Sequence, residues 1–241
     1  MTDQERPIIE IEALSKAFSY MPAVRKLDLT IQRGEFVALL GPNGSGKSTL
    51  LKLICGLNKP TTGQIRIGGW DMPAEAQAVR AQIGMVSHKA LLYDNLTARE
   101  NLAFFGKLYN LADDGRIERI LEKVGLSKRA HSVVRTFSRG MLQRLSIARA
   151  LLHEPHVLLM DEPYTGLDQD AAAVLDDLLS AAYSDGHTIL MATHQLERAA
   201  RLAKRIIILS RGSIVHDSTS KMETIELAAR YAEVTGAATA R

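Results

Sequence analysis

The sequence has little of what several classes of protein depend on. It contains one cysteine, Cys55, in 241 residues, so no internal disulfide can form, and no Cys/His cluster indicates a structural metal. Aromatic residues make up only 5%, too few to favour a surface that stacks nucleic-acid bases. No apolar run approaches the roughly 20 residues that a membrane-spanning helix needs. We therefore expect no disulfide, no nucleic-acid partner and no membrane span.

Charge of one sign is also scarce. The 30 basic and 27 acidic residues leave a net charge of +3, and no long basic run marks a nucleic-acid-binding arm. The polar start of the chain predicts no secretory signal, so we expect a protein on the cytoplasmic side. With 46% hydrophobic residues, the chain has enough apolar material for a single folded domain.

Short apolar runs alternate with helical patterns, which predicts an α/β fold with a mostly parallel sheet covered on both faces. Residues 36–40, 157–160, 188–192 and 206–209 are continuous apolar runs of the kind that form buried parallel strands. Residues 8–14 and 27–31 instead alternate apolar and polar side chains, as half-buried strands do.

The stretch from about residue 72 to residue 154 is predicted to contain helices without strands. Thr97 and Glu100 form a capping-box pattern at the start of one helix. An apolar stripe before Gly125 predicts a second helix, which ends at this glycine. A third helix is expected over residues 140–153, before Pro155. This pattern predicts a helical subdomain inserted between two strand-rich parts.

A glycine-rich segment follows the apolar run 36–40. It reads Gly41-Pro42-Asn43-Gly44-Ser45-Gly46-Lys47-Ser48-Thr49. The segment matches the phosphate-loop pattern G-x-x-x-x-G-K-[ST], and an apolar helical stretch at residues 50–54 follows it. Glycines let backbone N–H groups converge on phosphate oxygens, Lys47 supplies a cation for the β- and γ-phosphates, and Ser48 offers a hydroxyl to Mg²⁺. The flanking strand and helix argue against a glycine-rich turn that matches by chance.

Two adjacent carboxylates, Asp161 and Glu162, follow the strand predicted at residues 157–160. The carboxyl end of a strand is the edge where ligands bind in open α/β sheets. Asp161 suits the shell of Mg²⁺, directly or through water, and Glu162 suits the polarisation of an attacking water. A pair of solvated acids is the alternative, but the phosphate loop in the same chain favours a nucleotide site.

Three further segments resemble the ATP-binding cassette (ABC) ATPases. The segment from Phe137 to Met141, with Gln143 and Arg144 after it, resembles the family's signature, and it precedes the Asp-Glu strand at the family's interval. The run from Thr165 to Asp168 resembles the D-loop, and Thr193-His194 resembles the switch histidine. The resemblance extends over residues 8–217 with the motifs in the family order. It implies a P-loop NTPase (RecA-like) core with an N-terminal antiparallel β part.

The resemblance also implies roles for the matching residues. His194 would contact the γ-phosphate and the attacking water. Ser138 and Gly140 would close over the γ-phosphate of a nucleotide held by a second subunit, at a helix start that favours anions. Asp168 would join one subunit to the other. One phosphate loop and one signature per chain imply a homodimer, because a two-fold axis brings each signature to the other phosphate loop.

The resemblance places an aromatic residue against the adenine base as well. Phe18 stands at the position of the family's adenine-stacking aromatic, with Tyr20 as the alternative. Without the resemblance, Phe18 would be interpreted as an ordinary core aromatic.

Several positions depart from the common family pattern. Arg139 and Met141 stand where the signature has a glycine and a glutamine, which puts the strength of γ-phosphate closure in question. His88 stands at the Q-loop glutamine and is assigned, with Ser48 and Asp161, to the Mg²⁺ site. His88 and the segment 91–102 resemble the ATPase subunit of cytochrome c maturation haem exporters.

We therefore predict an ATPase with ATP and Mg²⁺ as cofactors. It is expected to dimerise and to drive a separate membrane permease from the inner face of the cell membrane. The subfamily resemblance implies haem as the exported cargo. The predicted nucleotide-binding domain spans residues 1–241, with a core at about 1–86 and 155–217, a helical subdomain at about 87–154 and a C-terminal helix or tail at 218–241. The alternatives are an exporter subunit for another cargo, a non-transport ABC ATPase acting on a soluble complex, and a P-loop kinase.

Overall fold

The computed structural model describes residues 6–87, 90–112, 114–218 and 220–236. The strands in these residues are β1 (Ile9–Phe18), β2 (Met21–Ile31), β3 (Phe36–Leu40), β4 (Thr62–Ile67), β5 (Trp70–Met72), β6 (Ile83–Val86), β7 (Val157–Asp161), β8 (Thr188–Ala192), β9 (Arg205–Ser210) and β10 (Ser213–Asp217). They form an antiparallel four-stranded sheet, in the order β2-β1-β4-β5, and a six-stranded sheet, in the order β10-β9-β3-β8-β7-β6. Within the second sheet only β10 is antiparallel to its neighbour.

The helices of the described residues pack around the six-stranded sheet. They are α1 (Lys47–Ile54), α2 (Ala76–Ala81), α3 (Ala98–Leu108), α4 (Arg116–Lys123), α5 (Arg139–Leu151), α6 (Gln169–Ser184), α7 (Leu196–Leu202) and α8 (Thr224–Thr235). The capping box predicted at α3 is confirmed: the Thr97 hydroxyl accepts from the Glu100 backbone N–H, and the Glu100 carboxylate accepts from the Thr97 N–H. No helix among the described residues is long and apolar enough to cross a membrane.

The central strands are buried on both faces, which explains why their sequences do not alternate. Along β3, Phe36, Ala38 and Leu40 belong to one core cluster, while Val37 and Leu39 belong to the other. The first cluster contains the packed faces of α3 to α7, and the second contains α1 and the antiparallel sheet. The predicted α/β fold class, with a mostly parallel sheet and an antiparallel N-terminal part, is confirmed.

One part of the prediction was wrong. The stretch from about residue 72 to residue 154 is not free of strands, because β6 lies inside it and pairs in parallel with β7. Its four residues are too few to show a period, and Gly84 interrupts the apolar pattern. A side chain at Gly84 would approach the Ala150 carbonyl of α5 to 2.3 Å, so the glycine lets that helix pack closely. The proposed boundaries between core, helical subdomain and tail stay a prediction.

Sheet order brings the predicted site residues to one edge. Strand β8 lies between β3 and β7, and all three run parallel. The phosphate loop follows β3, Glu162 follows β7 and His194 follows β8. Because the carboxyl ends of neighbouring parallel strands lie at the same edge of the sheet, these three loops are adjacent.

Candidate active site

The phosphate loop is shaped by glycines at positions where a side chain would collide with the backbone. Gly41 has a φ of 151°, and a Cβ there would lie 2.2 Å from the Leu209 carbonyl oxygen. Gly46 has a φ of 109° at the start of α1, and a Cβ there would lie 2.4 Å from the Ala23 carbonyl oxygen. These glycines therefore serve close packing of the loop as well as access of a phosphate to backbone N–H groups.

Lys47 lies almost completely buried at the first residue of α1. Its ammonium group donates to the carbonyl oxygens of Gly41 at 2.7 Å and Pro42 at 3.2 Å, which holds it across the loop. Burial lowers the pKa of Lys47, while the carboxylates of Glu162 and Asp161 oppose that shift. A cation is thus held in a partly dry position, where its attraction to phosphate is strengthened.

Ser48 and Asp161 place two oxygen atoms side by side next to the loop. The Ser48 hydroxyl donates to Asp161 Oδ1 at 2.8 Å, and the Asp161 side chain is buried. A hydroxyl and a carboxylate are hard oxygen ligands of the type that Mg²⁺ prefers, so this pair fits the predicted ion. The third predicted ligand, His88, lies outside the described residues.

Glu162 and His194 form a pair between the ends of β7 and β8. His194 Nδ1 lies 2.8 Å from Glu162 Oε2, and the Glu162 backbone N–H donates to the Ala192 carbonyl at 2.9 Å. Glu162 adopts a φ of 52°, a left-handed conformation that costs an L-residue about 1–2 kcal/mol. Glu162 lines the same cavity as the phosphate loop.

A cavity of about 500 Å³ connects the phosphate loop and Glu162 with the predicted adenine site. It is lined by the phosphate loop, by Glu162 and by Phe18 at the end of β1. Phe18 is 49% exposed, which does not fit an ordinary core aromatic. Tyr20, the alternative, is fully exposed and does not line this cavity.

Ser138, Gly140 and Asp168 lie together on a different part of the molecule, here called the signature surface and defined by Ser138, Arg139, Gly140, Met141, Gly166, Leu167 and Asp168. Ser138 Oγ accepts from the Met141 N–H and caps α5, and Asp168 Oδ1 accepts from the Ala171 N–H and caps α6. A Cβ on Gly140 would lie 2.9 Å from the Ala171 Cβ, so the two helix starts are in close contact.

One contact joins the two halves of the signature surface, and the sequence patterns did not predict it. Arg139 Nε donates to the Thr165 carbonyl at 2.9 Å, and a Cβ on Gly166 would lie 2.6 Å from the same nitrogen. Arg139 therefore crosses the D-loop segment where a glycine leaves room for it. No local pattern could have indicated this, since the two residues are 26 positions apart.

The structure thus separates the predicted residues into two groups. The cavity of the phosphate loop has no lining residue in common with the signature surface. One group can hold the phosphates and activate water; the other presents a capped helix start and small residues at the surface. Each group is incomplete for the chemistry that the motifs imply.

Comparisons with known proteins agree with the motifs. A family model described as ABC transporter matches residues 24–165. The daunorubicin resistance ATP-binding protein DrrA3 of Streptomyces coeruleorubidus is 37% identical over 96% of this chain and 77% of its own length. The Nod factor export ATP-binding protein I of Ralstonia nicotianae is 35% identical over 95% and 73%. Among solved structures, the dimeric ATP-binding cassette MJ0796 in a post-hydrolysis state bound to ADP and Pi has a TM-score of 0.81 and 30% identity, over 89% of this chain and 99% of that one.

The region matched by the family model contains the phosphate loop, the signature segment and the strand end that carries Asp161 and Glu162. The relatives extend the match over nearly the whole chain. On this evidence the chain belongs to the ABC transporter family, as one of its ATP-binding, ATP-hydrolysing subunits.

Proposed function

We propose that this chain dimerises on binding ATP, hydrolyses it between the two subunits and drives export through a separate membrane permease. The observation that carries the proposal is the separation of the phosphate-loop cavity from the signature surface within one chain. A two-fold axis would bring each signature surface to the other subunit's phosphate loop and complete two equivalent sites. The solved MJ0796 dimer, similar over 89% of this chain, supports that arrangement.

In the proposed reaction, the phosphate loop and Lys47 bind the β- and γ-phosphates. Ser48 and Asp161 would hold Mg²⁺, which when bound neutralises charge on the phosphates. Glu162 accepts a proton from the attacking water, because it lines the cavity of the phosphate loop at the end of β7. His194 orients Glu162 through their 2.8 Å contact and would contact the γ-phosphate.

The second subunit supplies the rest of the site. Ser138 and Gly140 would close over the γ-phosphate, since a hydroxyl and a small residue at a helix start favour an anion. Asp168 would contact the partner from the start of α6. Phe18 would stack on the adenine from the open side of the cavity.

A groove of about 190 Å³ between the sheet and the helices α3 and α5 is proposed to receive the permease. Its lining residues include Leu57, Arg80, Leu91, Phe105, Tyr109 and Arg149. Leu57 and Leu91 are exposed apolar side chains, and Arg149 is buried with carbonyl oxygens as its partners, Met85 at 2.6 Å and Leu91 at 3.2 Å. An apolar groove containing a guanidinium group fits a permease segment with apolar side chains and an acidic one.

The cargo is proposed to be something other than haem. The relatives named above serve daunorubicin resistance and Nod factor export, and the second name states outward transport. The haem-export interpretation, which depended on His88 and the segment 91–102, receives no support from them. The proposal is therefore an exporter subunit whose cargo is selected by the permease.

Purification from membranes tests the proposal. The tagged chain, extracted in mild detergent, is expected to bring with it a stoichiometric membrane protein with several spans, and to hydrolyse ATP faster once the two are reconstituted together. Leu57→Glu should prevent that association by repelling an acidic partner, whereas Ile225→Glu, at an exposed position on α8 outside the groove, should not.

Other outcomes would favour the alternatives. Association with a soluble complex in place of a membrane protein would favour a non-transport ATPase. ATP turnover that requires an added phosphate acceptor would favour a kinase. An equal effect of Leu57→Glu and Ile225→Glu would contradict the proposed groove.

A further inference from the structure

A buried ionic cluster lies between α6 and α7, among residues to which the sequence patterns assign no role. Asp176 of α6 is 8% exposed, and its Oδ1 accepts from the Tyr164 hydroxyl at 2.7 Å. Its Oδ2 accepts from Arg198 at 2.6 Å and pairs with Arg201 as well. The Arg198 guanidinium also covers the Tyr164 ring, 4.5 Å from its centroid.

The two ends of this cluster are attached to the two halves of the catalytic pair. Tyr164 lies two residues after Glu162, in a turn closed by a hydrogen bond of 3.2 Å from the Thr165 N–H to the Glu162 carbonyl. The two arginines lie on α7, which begins two residues after His194. Asp176 therefore bridges the turn that carries Glu162 and the helix that follows His194.

The pair needs such support because neither partner is fixed by its own strand. Glu162 lies in a left-handed conformation, which persists only where surrounding contacts over-determine it. The His194 side chain is 58% exposed, so packing does not set the direction of its ring. The backbone hydrogen bond from Glu162 to Ala192 fixes the main chain of Glu162, but it does not fix the side chains of Glu162 and His194.

We propose that Tyr164 is a positioning residue: through Asp176 and the two arginines, its hydroxyl holds Glu162 and His194 at hydrogen-bonding distance. This role affects catalysis because Glu162 and His194 act in ATP hydrolysis under the proposed function. Burial and the Asp176 carboxylate raise the pKa of Tyr164 above its usual range, so the hydroxyl stays protonated and continues to donate. A buried carboxylate left without one of its partners is strongly destabilised, which gives the cluster one preferred arrangement.

Tyr164→Phe tests the proposal because it removes one hydroxyl and keeps the ring under Arg198. We expect kcat for ATP hydrolysis to fall by about tenfold or more, since displacing a catalytic group by about 1 Å costs roughly 10²-fold. KM for ATP should not change, because the phosphate loop is untouched. Tyr183→Phe is the matched control: it removes the same group from a ring that packs on Phe36 and should leave both constants unchanged.

A double mutant separates positioning from a general loss of structure. In a His194→Ala background the pair no longer exists, so adding Tyr164→Phe should cost little more. Arg201→Gln weakens the cluster from its exposed side and should lower kcat in the same way, which keeps the test open if Tyr164→Phe folds poorly.

The results distinguish this inference from the proposed function. Unchanged kcat in Tyr164→Phe and Arg201→Gln, or losses that multiply in the double mutant, would overturn the positioning role while leaving the ATPase assignment intact. Normal turnover in Glu162→Gln would contradict the proposed function, and the positioning role with it.

Discussion

Replacing Glu162 with glutamine separates its proposed role as a base from its structural contacts. Glutamine has the same length and keeps a side-chain oxygen, so the 2.8 Å contact with His194 and the backbone bond to Ala192 can both persist. What is lost is the negative charge and the affinity for a proton. Losing a positioned base typically slows a reaction about 10²- to 10⁴-fold, which corresponds to about 3–5 kcal/mol of activation free energy.

The assay compares binding with turnover. Glu162→Gln should bind ATP, release phosphate at the reduced rate and accumulate as an ATP-bound dimer on gel filtration. Glu122→Gln, the same substitution on the exposed face of α4, should behave like the wild type. If phosphate release by Glu162→Gln matched that of Glu122→Gln, the carboxylate would not be the base and the proposed mechanism would fail.

Three further predictions address binding, catalysis and stability. Lys47→Ala should weaken ATP binding by the monomer, measured by calorimetry, whereas Ser138→Arg should keep that binding and abolish ATP-driven dimerisation; equal binding defects would contradict the two-surface arrangement. His88→Gln should remove a fall in ATPase rate near about pH 6.5 if a neutral imidazole is required, and an unchanged acid limb would exclude that role. Burial lowers the pKa of His153, with the Ile83 carbonyl opposing, so below about pH 6.5 the unfolded chain binds a proton that the folded chain does not. As the pH is lowered through this range, the free energy of unfolding, measured in urea, should therefore decrease less steeply in His153→Gln than in the wild type; equal slopes would contradict this.

The fold could be predicted from the sequence where every residue of an element is buried and therefore apolar. Strand β3 is apolar throughout because both of its faces are covered, and the phosphate loop follows it immediately. Strand β6 could not be predicted, since its four residues contain Gly84, which is there for the approach of α5. Strand β10 is only half-buried and partly polar, so its sequence resembles a loop. Motifs with a fixed local geometry are thus predictable, whereas short strands depend on partners that are distant in sequence.

Contacts between separate loops are the part of the site that the sequence could not indicate, and Arg139 shows what they change. In the sequence, Arg139 is a departure from the signature that puts γ-phosphate closure in question. In the structure its Nε donates to the Thr165 carbonyl, across a glycine, Gly166, that has no side chain to obstruct it. The arginine thereby joins the segment that carries Ser138 to the segment that carries Asp168. Two groups proposed to meet the second subunit are therefore joined by a hydrogen bond. We expect this link to favour their joint approach to the partner even though the arginine adds bulk to the signature.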